Sequence, residues 1–129
     1  MRCAVLVMLV ATACGGAQKP RSPAGMKELA AEIDAESAEL ARIIHDLRGD
    51  CPQMAAELKV LFARMRQSFE RAHDAQKDPA LAKELTAHLR AYDEIGKQRD
   101  AAMDRDLTEN PACTHDRAVR EQMLVMPTL

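Results

Sequence analysis

From Met26 onward apolar residues recur at steps of three and four, the spacing that puts side chains on one stripe of a helix. Met26, Leu29, Ile33, Ser37, Leu40, Ile44 and Leu47 make the first stripe, which stops at Gly49. Asp50-Cys51-Pro52 then starts a second helix, because a short acidic cap followed by proline suits the amides that lack intrahelical partners. Its stripe is Met54, Leu58, Leu61, Phe62, Met65, Phe69 and Ala72. Asp78-Pro79 repeats the start signal, and Leu81, Leu85, Leu89, Tyr92, Ile95, Met103 and Leu107 carry a third helix to about Thr108. Asn110-Pro111 repeats it again, ahead of a short helix from Pro111 to Met126 with Val119, Met123 and Met126 as its apolar side. No segment shows the period-two alternation of a strand.

Three long helices and one short one, with connections of about two to four residues, predict an all-α fold: an up-down-up-down four-helix bundle with a short fourth helix over residues 26–126. The stripes also lie near heptad spacing, which leaves a dimerising coiled coil of two or three helices as the alternative. Monomer and helical dimer are both expectations. Opposite charges four apart, Asp93 with Lys97 and Asp116 with Arg120, are expected on outer faces.

The amino terminus follows a different pattern. Met1-Arg2 precedes an apolar run from Cys3 to Val10 and then Ala11-Thr12-Ala13-Cys14, the layout of a secretory signal. About ten apolar residues fall well short of the ~20 that a membrane-spanning helix needs. Ala11-Thr12-Ala13-Cys14 resembles the lipobox of bacterial lipoproteins, with Ala11 where that family most often has Leu. The resemblance implies that Cys14 receives a diacylglycerol, becomes the first residue after cleavage and is acylated, by palmitate for instance. It divides the chain into a signal peptide over 1–13, a lipidated Cys14 with a proline- and glycine-rich tether over 14–25, and the helical domain. It also implies a bacterial cell-envelope location, anchored to a membrane, with the outer membrane favoured and the domain facing the periplasm or the exterior.

Of 18 Lys and Arg and 20 Asp and Glu, only Arg2 falls in the first thirteen residues, so 17 basic and 20 acidic residues remain, about −3. Phe62, Phe69 and Tyr92 are the only aromatics. A mildly acidic chain with neither a basic block nor a stacking surface is not expected to bind nucleic acid.

The resemblance implies that Cys3 leaves with the signal and that Cys14 takes the lipid, which leaves Cys51 and Cys113. Outside the cytoplasm two thiols within reach of each other oxidise, and in an up-down-up-down bundle the second and fourth helices start at the same end. A disulfide between Cys51 and Cys113 is therefore expected. The alternative is a zinc or copper site formed by His45, Cys51, Cys113 and His115, which the predicted helices bring toward one end. Those four residues lack the close paired spacing of strong zinc motifs, and no metal or other cofactor is expected.

Three His-Asp pairs, at 45–46, 73–74 and 115–116, fall near predicted helix ends, where polar groups serve the unpaired backbone. His88, spaced for Glu84 and Tyr92, is expected to be partly buried and hydrogen-bonded to Glu84. Cys113-Thr114-His115 is faintly similar to the c-type haem attachment of exported cytochrome bundles. That motif needs two cysteines with histidine directly after the second, whereas this chain has one cysteine and an intervening Thr114. The chain carries no nucleophile elbow, phosphate-binding glycine loop or HExxH. The expected role is non-catalytic binding or scaffolding in the envelope, through the lipid anchor and an envelope protein partner. The alternative is a small metal- or haem-binding bundle of the periplasm.

Overall fold

The computed structural model describes residues 23–129, and these form five helices: α1 (Pro23–Asp46), α2 (Cys51–Ala75), α3 (Pro79–Arg90), α4 (Asp93–Glu109) and α5 (Arg117–Leu124). The fold class is all-α, as the periodicity predicts. The signal segment, Cys14 and the tether up to residue 22 lie outside the described residues. α1 starts at Pro23, ahead of Met26, so the last part of the expected tether is helix. Proline's fixed φ suits the first turn of a helix.

The two clearest start signals act as their chemistry requires. Asp50 accepts the Gln53 N–H at 3.1 Å and Asp78 accepts the Ala80 N–H at 2.9 Å. Each carboxylate satisfies a donor that the first helical turn leaves unpaired, and such a cap is worth about 1 kcal/mol.

Two expected helices differ. The third run breaks at Ala91-Tyr92, where the backbone N–H groups reach the carbonyls of His88 and Leu89 at 3.3 and 2.9 Å. These are i to i−3 bonds, which tighten the last turn and end the helix. α4 restarts with Asp93 and Glu94 in its first turn, where negative charge meets the positive end of the helix dipole. The break turns Ile95 outward, and α4 buries no side chain completely. Asn110-Pro111 opens a turn rather than a helix. The cap of the last helix is Asp116, which accepts the Val119 N–H at 3.0 Å, so that helix shortens to Arg117–Leu124 and Met126 lies beyond it.

α1 and α2 pack antiparallel, with Arg42 on Glu57 at 3.0 Å near their connection and Arg71 on Glu32 toward the other end. α4 runs alongside α1 in the same direction, as Arg99 pairs with Asp34 and the His45 Nδ1 lies 3.0 Å from the Asp106 carboxylate. α5 packs on the first half of α2, with Val119 buried beside Met54 and Leu58. The core consists of two clusters. One holds Met26, Leu29, Ile33, Ala72, Ala75 and Leu85, where α1, α2 and α3 meet. The other centres on Ile43, Met54, Leu58, Leu61 and Phe62 and takes in Cys113 and Val119. Phe69 packs against both. Each large apolar side chain buried this way contributes about 1.5–3 kcal/mol. Among the described residues no helix is long and apolar enough to cross a membrane.

Candidate functional site

Cys51 is the first residue of α2, and Cys113 lies in the turn between α4 and α5. The direction of α4 along α1 returns the chain to the end where α2 starts, and this brings the two cysteines together. Their sulfurs stand 2.13 Å apart and their Cα atoms 5.1 Å apart, the separations of a disulfide. Cys113 is buried within the larger core cluster and Cys51 is half-buried at its edge. The turn closes on itself, with the Thr114 hydroxyl donating to the Pro111 carbonyl at 2.6 Å. Cys113 thus sits in a turn and not, as the sequence suggests, in the first turn of a helix.

The alternative ligand set is not assembled. The sulfurs of Cys51 and Cys113 face each other, His45 is engaged with Asp106, and His115 is exposed in the turn before α5. Among the described residues no group of three or more His, Cys, Asp or Glu side chains is arranged to hold a metal ion. His88 lies 3.8 Å from the Glu84 carboxylate, within ion-pair range but too long for the expected hydrogen bond. Of the two expected surface pairs, Asp116 serves instead as the α5 cap, and Asp93 with Lys97 forms no ion pair among the described residues. Cys14, the expected lipid attachment, lies outside the described residues.

Two polar pairs within the helical packing are absent from the sequence reading. Glu36 of α1 and Ser68 of α2 are both buried and meet between the helices, with 2.5 Å between the Ser68 hydroxyl and a Glu36 carboxyl oxygen. The hydroxyl also lies 3.0 Å from the Met65 carbonyl. Burial pushes the Glu36 carboxyl up from its ordinary value, and Glu32 adds to the rise. The Ser68 hydrogen bond and the charges of Arg64 and Arg71 oppose it. The Ser68 hydroxyl is the donor, with the Glu36 carboxyl oxygen and the Met65 carbonyl as its two acceptors. The signal was present in the spacing, since a step of three from Ile33 lands on Glu36 and a further step of four on Leu40. Ser68 likewise lies a step of three after Met65.

The second pair is Arg99 with Asp34, where α4 crosses α1. The guanidinium donates to both carboxylate oxygens, 3.2 Å from Nη2 to Oδ2, and to the Asp34 carbonyl at 3.3 Å. The bonds to Asp34 hold the Arg99 proton more tightly than usual. No sequence signal marks this pair, because its members lie on separate helices whose register only the fold sets.

Compared with known proteins, the chain matches no family model, no curated protein and no solved structure.

Proposed function

We propose that the chain is a lipid-anchored, extracytoplasmic helical protein of the bacterial cell envelope that acts by binding or scaffolding rather than by catalysis. The observation that carries this reading is the placement of Cys51 and Cys113 at disulfide distance. Such a pair persists in oxidising compartments and is rare in the cytosol, which accords with an export signal ahead of Cys14. Acyl chains on Cys14 would hold the protein on the membrane surface, since several chains bury many methylenes at ~0.8 kcal/mol each. An up-down-up-down path, with α3 and α4 together in the third place and α5 as the short fourth member, would accord with α4 running alongside α1 and α5 packing on α2. The polar side chains between helices are engaged in pairs, as in a scaffold whose parts keep fixed positions.

Labelling and thiol counting test the reading. Cells that express the full chain are fed labelled palmitate, and the captured protein is denatured without reductant for titration of free thiols. The expected result is label on the wild-type chain, none on Cys14→Ala, and no free thiol at positions 51 and 113. An unlabelled wild-type chain overturns the anchor, and two free thiols overturn the oxidising compartment.

A further inference from the structure

α5 meets α2 through Val119, which is buried, while Met123 is half-buried and Leu124 is 83% exposed. Below that lifted edge a cleft of about 320 Å³ opens, walled by Met54 and Leu58 of α2, Leu107 of α4, and Val119 and Met123 of α5. One charged residue lines it among the described residues, Arg120. The neighbouring charges have other partners, since Arg117 holds Glu121 at 2.8 Å and Asp116 caps the helix. Arg120 makes no side-chain hydrogen bond or ion pair among the described residues.

We propose that this cleft binds a free medium-chain fatty acid, with the alkyl chain between α2, α4 and α5 and the carboxylate on Arg120. The shape and charge of the cleft choose the ligand class. Small-molecule sites of this size are apolar concavities with a few polar groups that fix orientation, and here these are the Arg120 cation and Thr114, whose hydroxyl already donates to the Pro111 carbonyl. A guanidinium matches the fork of one carboxylate. A water-sized unit occupies about 30 Å³, so a tail of about ten carbons fills the space. A peptide would need partners for its backbone amides, and this wall supplies almost none. The site lies wholly within α1, α2, α4, α5 and the turn before α5, so the proposal stands apart from the anchor at Cys14.

The chain contains no tryptophan, and exposed Leu124 at the mouth can take one. Leu124→Trp in the full chain provides a reporter, and a fatty acid brominated on its tail is the quencher, used below its micelle concentration. Saturable quenching is expected, displaced by decanoate, more weakly by decanol and least by decyltrimethylammonium. From hexanoate to decanoate each added methylene should tighten binding about two- to fourfold, and the gain should stop once the tail outgrows the cleft. Adding Arg120→Ala should weaken decanoate about fivefold to tenfold and leave decanol unchanged, with thermal melts confirming that the variant folds. Quenching that never saturates, equal binding of the ammonium amphiphile, affinity that keeps rising with tail length, or an Arg120→Ala variant that binds decanoate as before would each overturn the proposal. A chain unlabelled by palmitate would leave all these expectations in place.

Discussion

Arg99 of α4 grips Asp34 of α1, 65 positions earlier in the chain, through both terminal nitrogens of its guanidinium. Only 16% and 17% of the two side chains are exposed. α4 buries no side chain completely, and this two-pronged bond ties it to α1 alongside the half-buried Met103 and Leu107. Removing one partner leaves the other charge in a place poorly reached by water. Arg99→Ala or Asp34→Ala should each cost about 2–3 kcal/mol in urea unfolding, with the double variant costing much less than their sum. Arg99→Lys should recover only part of the loss, because a single ammonium cannot span both oxygens. Full recovery by lysine would show that charge alone matters.

Glu36 gives the molecule a pH dependence with a defined sign. Its folded-state pKa is raised above the ordinary 4.5, first by burial. The stability that its neutral form contributes is therefore complete below pH 4.5 and is lost as pH climbs through the raised folded value. Glu36→Gln keeps the shape and an oxygen that accepts from Ser68, without the charge. Its melting temperature relative to wild type should rise as pH climbs from about 4.5 through the raised folded value and then level off. A difference that stays flat with pH would mean that folding does not raise the Glu36 pKa.

Breaking the Cys51–Cys113 link should loosen the chain through its unfolded state. The cysteines are 62 positions apart, and closing a loop of that size is worth about 4 kcal/mol in the chain-entropy model. Cys51→Ala with Cys113→Ala should lower the melting temperature strongly, and a reducing agent should shift wild type but not the double variant. Equal melting of wild type with and without reductant would count against the bond.

Gly96 offers a gain. It lies inside α4, and a Cβ added there meets nothing within 4 Å. Gly96→Ala should stabilise the protein by about 0.5–1 kcal/mol, since alanine loses less backbone freedom on folding. A destabilised variant would point to a kink that the glycine permits.

The helical elements were legible wherever side chains decide locally. The stripes of α1 and α2, and the caps at Asp50 and Asp78, follow from spacing and from the chemistry of the first turn. The break at Ala91-Tyr92 was not, because neither proline nor glycine marks it. What did mark it was weaker: a gap without large apolar residues from Gly96 to Ala102, and the acidic pair Asp93-Glu94 at a new helix start. Near Asn110 two start signals compete, Pro111 and Asp116, and the sequence does not rank them. In the folded chain Pro111 serves the turn that carries Cys113, and Asp116 opens α5. The meeting of Cys51 with Cys113 was readable from topology, because it depends only on which helix ends coincide. The apposition of Asp34 and Arg99 depends on rotation and register between helices, which no single-chain pattern encodes.

The linked cysteines and the entry of the chain lie at opposite poles. α1 begins beside the cluster of Met26, Ala72, Ala75 and Leu85, and its 24 residues extend about 36 Å at 1.5 Å per residue before the chain reaches the Cys51 end. The residues ahead of α1 thus join the described helices at the pole opposite the cysteines, Arg120 and the opening beneath Leu124.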